Sequence, residues 1–499
     1  MVRFDIILQG IELAFTVQNL LLLVAGFFLG VIVGILPGIG PAAGMALILP
    51  FSFNLNPTSA LILMSGVYLA SNYGGSIAAI LVNTPGESAS AATLLDGYPM
   101  TRRGRAAEAL GISATAGALG GIMGLVVLVF TAPLLARLAL RFGPPENALL
   151  ALFALSVIST IVKRNPIKGL VSACIGLILA TVGMDMVSGD YRFVFGIDDF
   201  QDGVPFIQTM VGLFAVAQVI ILAEYNRAIS KVELAGSGLL AGVKTTFKHP
   251  FTLIRSFIIG LWVGALPAAG RSTASFMAYA EEMRQAKDKS QFGKGNPVGV
   301  VASEMANSSC AMGDLIPTLA LGIPGSVGAA VFLGIMIIFG VTPGYKVFVD
   351  HGREVYGLFT AFFIENLLIV VLGLTYAKYL AKITVIRNDI IVPMILVFSM
   401  LGSYSIRNSF FDLTLTSVFG ILGYFMARYG YSPVPLVLAL VLGPMLEKNF
   451  QRSMIIGAGS YTVFLQSGIS IALVIMTAFS LFYPYFSVLS KKLKKKDGA

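Results

Sequence analysis

The sequence predicts an all-α polytopic membrane protein of about twelve transmembrane segments, with inverted-topology repeats and paired re-entrant hairpins or broken helices. Three observations predict it. Of 499 residues, 56% are hydrophobic and only 12% charged, where a soluble chain carries about 25% charged residues. Many apolar stretches have the roughly 17–25 residues that cross a bilayer as a helix. Finally, Gly34-Ile35-Leu36-Pro37-Gly38-Ile39-Gly40-Pro41 returns, degraded, as Gly264-Ala265-Leu266-Pro267-Ala268-Ala269-Gly270-Arg271, at a constant shift of 230 residues (267 − 37).

The elements follow in order. Residues 1–16 read as a short interfacial helix. The first membrane repeat occupies 17–224. Val17–Leu36 is its first membrane segment and ends in the Pro-Gly break. Met45–Phe53 is too short to cross alone, so it pairs with its predecessor as a re-entrant hairpin or broken helix. Leu61–Val82 spans, contains Tyr73-Gly74-Gly75-Ser76, and runs into Asn83-Thr84-Pro85-Gly86-Glu87. The loop 98–106 carries Arg102, Arg103 and Arg105, the mark of a cytoplasmic segment. Further spans fit 107–131, 147–162, 168–185 and 206–224. An acidic loop with Asp190, Asp198, Asp199 and Asp202 lies between the last two.

Residues 225–250, with Arg227, Lys231, Lys244 and Lys248, form a basic cytoplasmic linker, and 251–488 is the second membrane repeat. Its break follows 251–266, and 272–280 continues beyond it. A hydrophilic excursion, Glu281–Asn296, precedes the span 299–325, which holds Met312-Gly313-Asp314 and Gly322-Ile323-Pro324-Gly325. Aligning Pro85 with Pro324, a shift of 239 (324 − 85), pairs Gly74 with Gly313 and Gly86 with Gly325. A second motif therefore repeats. Spans at 327–342, 355–377, 390–402, 411–427, 433–446 and 467–488 complete the repeat, and a basic cytoplasmic tail, 489–499, closes the chain. Loop 98–106 reads as inside and its equivalent 341–350 as outside, the relation expected of an inverted repeat.

The breaks carry the functional reading. A Pro-Gly turn inside apolar sequence frees backbone groups that only surrounding protein or a wet cavity can satisfy. Matched breaks in two halves are the sequence-level mark of a transporter's binding site. The N–H groups that open the next half-helix suit a carboxylate. The preceding carbonyls suit a hard cation such as Na+, at the Pro37–Gly40 and Pro267–Gly270 breaks. The candidate substrate-binding residues are Pro37, Gly38, Gly40, Asn83, Thr84, Pro85, Gly86, Ser88, Arg271, Ser272, Asn307, Gly322, Pro324, Gly325 and Ser326. Ser90, Thr273, Ser275 and Ser308 lie in the same stretches. Glu87, Asp96, Glu304 and Asp314 are charges within apolar sequence and hence candidates for coupling; Glu365, with the polar Asn366 beside it, sits likewise in the 355–377 span. Arg271 could clamp a carboxylate bidentately, or pair with Asp314 or Glu304.

Other classes find little support. The net charge of +9 arises from short loops and the tail, so it reads as membrane topology rather than nucleic-acid binding. Cys174 and Cys310 read as buried free thiols. His249 and His351 are the only histidines and fall in loops, so no hydrolase or metalloprotease motif forms. No catalytic residue and no organic cofactor are expected. No removable signal peptide is read at the N-terminus, where no small-residue cleavage motif follows Arg3. Two rival readings remain: an intramembrane enzyme acting on a lipid-linked substrate, with Glu304 and Asp314 as its acid–base pair, or a passive channel.

The motifs resemble those of a known family, the large membrane subunit of the tripartite tricarboxylate transporters (TctA type). The resemblance rests on Gly34–Pro41, Tyr73–Ile77, Asn83–Glu87, Leu95–Met100 with Gly104–Ala106, Phe292–Gly295, Leu315–Leu319, Leu321–Ser326, and Leu442–Pro444 with Glu447. It implies a secondary transporter of the bacterial inner membrane, driven by Na+ or H+, that takes citrate or another carboxylate. Implied partners are a small four-helix membrane subunit and a periplasmic solute-binding protein. An elevator-like fold with paired hairpins is implied as well. The chain departs from that pattern at Ala268, Arg271, Ser303, Ser308-Ser309, Asp314, Gln218 and Gly468. Most departures fall at the second-half site, where they bear on substrate and coupling ion more than on fold.

Overall fold

The structure is a computed structural model and describes residues 4–36, 40–139, 142–160, 166–185, 187–224, 238–266, 270–344, 346–383 and 388–481. Pro37, Gly38, Pro267, residues 225–237 of the linker and the tail 489–499 lie outside the described residues.

The protein is an all-α polytopic membrane protein. Among the described residues the one sheet is an antiparallel pairing of Gly183–Met184 with Tyr191–Arg192. Among the described residues, six helices are long and apolar enough to cross a membrane: Val17–Ile35, Ala106–Arg137, Phe206–Glu224, Gly352–Tyr376, Phe410–Arg428 and Pro433–Ile456. Shorter apolar helices include Gly40–Ser52, Pro250–Ala265 and Val327–Ile338. Helices Pro57–Val82 and Pro297–Leu321 are long but buried along most of their length, so protein rather than lipid surrounds them.

Two compact units form, each with one segment from either half of the sequence. The first comprises Met1–Arg137 and Phe214–Ser409, the second Leu138–Leu213 and Phe410–Ala499.

Glycine sets the packing of the first unit. Gly26, Gly30 and Gly34 recur every four residues and so line one face of helix Val17–Ile35. A methyl on Gly30 would lie 2.8 Å from the Gly66 carbonyl oxygen, and one on Gly66 would lie 2.8 Å from the Gly26 carbonyl carbon. Such contact is how helices associate where lipid removes the hydrophobic drive. Gly34 rests on Ser71 and Gly74 on Val31, so Val17–Ile35 and Pro57–Val82 run parallel. The second repeat has the same arrangement. Gly260 rests on Ala306 and Ser309, Gly264 on Cys310 and Asp314, and Gly313 on Gly264. Helices Pro250–Ala265 and Pro297–Leu321 are therefore parallel too.

Between repeats the direction reverses. The Tyr68 hydroxyl donates to the Ala311 carbonyl at 3.2 Å, whereas Ser76, eight residues on, donates to Glu304 at 2.8 Å. Contact moving forward along one helix and backward along the other is an antiparallel crossing. Ala311 is the equivalent of Asn72 and Glu304 of Ser65 at the 239-residue shift. The equivalent helices thus cross about a pseudo-twofold near residue 70, as inverted repeats require.

Some local expectations change. Residues 98–102 belong to helix Ser90–Arg102 rather than to a loop. Earlier on the same helix Thr93 and Asp96 turn inward, whereas Arg102 and the following Arg103 are exposed. Helix Arg271–Gln285 continues into the expected hydrophilic excursion, with Arg284 held to Glu281 at 2.7 Å. Helix Phe4–Ala14 packs Gly10 against Tyr356 and Gly357. Cys310 is buried but Cys174 is exposed, because an apolar run does not distinguish a lipid-facing side from a core-facing one.

In the second unit, Gly176 packs on Leu436 and Ala439, and Gly212 on Phe419 and Gly420. The loop after helix Pro166–Ala180 is fastened by Arg192, which lies 2.6 Å from Glu447 and 3.2 Å from Asp185. The backbone N–H of Val187 and the Gln451 amide hold the Asp185 carboxyl below its usual range. These residues line a cavity of about 370 Å³.

Gly34→Ala is expected to destabilise the protein by about 1–3 kcal/mol through overpacking. The check is thermal unfolding of the purified protein, with Gly468→Ala as control, since nothing lies within 4 Å of a methyl there. Equal midpoints for the two variants would refute the packing argument.

Candidate functional site

Each repeat closes its broken helix onto its own hairpin. Helix Pro57–Val82 ends at Asn83 and helix Pro297–Leu321 at Gly322, both left-handed, with φ of 57° and 71°. The two residues are equivalent at the 239-residue shift. Two residues after each comes the Pro-Gly. Gly86 sits against the Gly34 carbonyl and Gly75, and Gly325 against the Gly264 carbonyl and Asp314. The hairpin helices reopen at Gly40 (φ 60°) and Gly270 (φ 75°), another matched pair in a conformation that favours glycine.

The breaks converge. A methyl on Gly328, just beyond the second-half Pro-Gly, would lie 3.4 Å from both Pro41 Cγ and Arg271 Nη2. A methyl on Gly40 would lie 4.0 Å from Glu87 Cβ, and Asn307 Nδ2 donates to Glu87 Oε1 at 3.3 Å. Residues of all four breaks thus surround one polar cluster within the first unit.

Arg271 is the centre of that cluster and is only 6% exposed. Its Nε donates to Asp314 Oδ2 at 3.4 Å, its Nη1 donates to Asn72 Oδ1, and its Cζ lies 4.3 Å from the Tyr68 ring centroid. Asp314 is fully buried. Of the two pairings open to Arg271 in the sequence, the structure has Asp314 and not Glu304. Among the described residues, Nη2 of Arg271 and Oδ1 of Asn307 are buried without partners. One donor and one acceptor are therefore uncommitted, and a buried polar group left so costs about 1–3 kcal/mol. With Glu87 and Asp314 both ionised, the three charges sum to minus one, a balance that an added cation would correct.

Glu304 forms a separate cluster. Ser76 and Thr93 donate to its Oε1 and Ser113 to its Oε2, from three other helices. Glu365 accepts from Ser65 at 2.6 Å, and its Oε2 lacks a partner among the described residues. Asn366 donates to the Phe362 carbonyl, an intrahelical bond.

The other candidates divide by role. Asp96 stands apart from the breaks. It accepts from the Tyr279 hydroxyl at 2.8 Å and from the amides of Gly295 and Asn296 at 2.7 and 2.8 Å, so it fastens a loop. Ser326 caps helix Val327–Ile338 through the Ala329 amide. Thr84 bonds back to the Val82 carbonyl. Asn83 and Ser88 are exposed, Ser272 half-buried and Pro324 buried. The sequence reading missed Tyr68, Asn72, Ser76, Thr93 and Ser113. Its available signal was the hydroxyls and amides spaced along one otherwise apolar helix, Ser65, Asn72 and Ser76.

A bundle that breaks equivalent helices around a buried guanidinium has the architecture of a polytopic transporter, with backbone and side-chain polarity offered at membrane depth. The chain belongs to the Tripartite tricarboxylate transporter TctA family, which it matches over residues 20–438. It is 38% identical over 466 residues, 93% of its length and 92% of the relative's, to a protein of Agrobacterium vitis described as "Uncharacterized 52.8 kDa protein in TAR-I ttuC' 3'region". A second protein of that organism, "Uncharacterized protein in TAR-II ttuC' 3'region", is 39% identical over 214 residues, covering 43% of this chain and 88% of that protein. No solved structure matches the chain.

Asp314→Ala, which strands a buried guanidinium, is expected to cost about 3–5 kcal/mol. Arg271→Gln combined with Asp314→Asn should cost less than that single change. Unfolding midpoints of the variants decide this, and additive losses would contradict the pairing. Asp96→Ala should speed amide exchange at Gly295 and Asn296 by tenfold or more, as expected for a loss of about 1.4 kcal/mol or more. Unchanged protection there would remove Asp96 from the loop's support.

Proposed function

We propose that this chain is the large transmembrane subunit of a tripartite, ion-gradient-driven importer of a tricarboxylate or other carboxylate. A periplasmic solute-binding protein delivers the substrate, and a small four-helix membrane subunit completes the complex in the bacterial inner membrane. The C-terminus is cytoplasmic. The observation that carries the reading is Arg271, buried where the four breaks meet, with Nη2 uncommitted among the described residues, as is Asn307 Oδ1 in the same cluster. A substrate carboxylate would take the guanidinium N–H, with further donors from the backbone that opens at Gly40 and Gly270.

Family membership speaks for transport, and the two carboxylates of the enzyme alternative do not share a site. Glu304 sits among hydroxyls, whereas Asp314 holds Arg271. A passive channel would need no matched breaks.

The test is uptake of labelled citrate or a dicarboxylate into vesicles that contain the chain with its partner proteins, with and without a Na+ gradient. Arg271→Gln is expected to lower gradient-driven uptake by at least about tenfold, equivalent to loss of one charge-assisted hydrogen bond. Asn83→Ala should lower it less, since Asn83 is exposed and contributes a backbone turn. Wild-type uptake by Arg271→Gln would overturn the site assignment, and flux without accumulation would favour a channel.

A further inference from the structure

We propose that Glu304, with the hydroxyls of Ser76, Thr93 and Ser113, forms a binding site for a monovalent alkali cation, Na+. This inference rests on the transporter reading and locates its coupling ion away from the Pro-Gly breaks. Glu304 is 3% exposed, and among the described residues no lysine, arginine or histidine forms an ion pair with it. A carboxylate taken out of water without a countercharge is costly, and neutral hydroxyls offset only part of that.

The surrounding atoms match a hard cation, which takes oxygen ligands. Ser76 Oγ lies 2.8 Å from Oε1, Ser113 Oγ lies 2.8 Å from Oε2, and Thr93 Oγ1 also bonds Oε1. Behind them Ser303 Oγ lies 2.9 Å from Thr93 Oγ1, and Ser90 Oγ lies 3.3 Å from Ser76 Oγ. A hydroxyl that turns its lone pairs toward a cation must place its proton elsewhere. Ser76 has the Asn72 carbonyl at 3.3 Å, and Ser303 has the Gly299 carbonyl at 2.9 Å. Thr93 has Ser303. Ser113 can keep its proton on Glu304 Oε2, so the shell can accept a cation with each of these protons placed. Ser76, Thr93, Ser113 and Glu304 come from four helices, Pro57–Val82, Ser90–Arg102, Ala106–Ala139 and Pro297–Leu321, so filling the site ties those helices together.

The site also has a route to the carboxylate cluster. Asn307 lies one helical turn after Glu304 on the same face and donates to Glu87. From the other side, a methyl on Gly75 would lie 2.9 Å from both Glu87 Cγ and Ser90 Oγ, and Ser90 neighbours Ser76. Cation and carboxylate clusters thus share two short bridges of packed polar groups.

The experiment is equilibrium binding of radioactive Na+ to the purified full chain, with choline and K+ as competitors, alongside citrate-induced thermal stabilisation. Wild type should bind Na+ saturably, and Glu304→Gln should not. Ser113→Ala keeps the carboxylate and removes one oxygen; it should weaken Na+ affinity by roughly tenfold, as loss of a supporting group at a metal site does, with an unfolding trace to verify folding. Arg271→Gln should keep Na+ binding and lose the citrate response. Absence of saturable Na+ binding by wild type, or wild-type affinity in Ser113→Ala or Glu304→Gln, overturns the cation site. If citrate stabilisation still depends on Arg271 in that event, the carboxylate reading survives; if citrate has no Arg271-dependent effect while Na+ binding follows Glu304, that reading fails alone.

Discussion

A backbone carbonyl at membrane depth must have a partner, and the fold is arranged around that requirement. Where helix Pro57–Val82 stops at Asn83, its continuation lays Gly86 on the exposed end of the first hairpin at Gly34; Gly325 does the same at Gly264. Side chains at these glycines would push the two backbones apart and open both interruptions to lipid. The constraint explains why small residues follow the contact face. It also accounts for the pairing of the breaks, since each interrupted element packs against the end of the other.

The repeats share geometry but not chemistry. Position 75 is glycine in the first half, and its equivalent in the second is Asp314. Pro41 opens the first hairpin's return helix, and Arg271 opens the second's. The two new charges meet each other, Nε to Oδ2 at 3.4 Å. Together they introduce a guanidinium and its paired carboxylate into a site that otherwise holds Glu87, amides, hydroxyls and backbone. The contact is through Nε rather than a two-pronged fork, so part of the guanidinium edge is available. Both positions differ between the two repeats of this chain, while the glycine contacts around them are kept.

Much of this was legible in the sequence, because the repeat is written in glycine and proline. The Pro85–Pro324 alignment alone pairs Gly74 with Gly313 and Gly86 with Gly325, and the structure gives the members of each pair the same contacts. What was not legible involves distant partners. Asp96 looked like a functional charge near a break, yet its three hydrogen bonds go to Tyr279, Gly295 and Asn296, about two hundred residues on. The partners of Glu304 lie on three separate helices, and no spacing rule connects them. Cys174 could not be placed because lipid and core ask for the same apolar residues. The division into two units was equally hidden, since each unit draws on both halves of the sequence.

The crossing of equivalent helices near residue 70 has a consequence for how charge can be used. At a pseudo-twofold, a residue and its equivalent face each other's helix, so one polar group placed there serves both repeats. Asn72 holds Arg271 of the second repeat, and Ser76 holds Glu304 of the second repeat. In each case the neutral member belongs to the first half and the charged member to the second. A slide of helix Pro57–Val82 by a single turn against helices Arg271–Gln285 and Pro297–Leu321 would strip both charges of these partners together. The charged groups thus make the antiparallel register itself a condition of stability, and whatever neutralises Glu304 or occupies Arg271 acts on that one register.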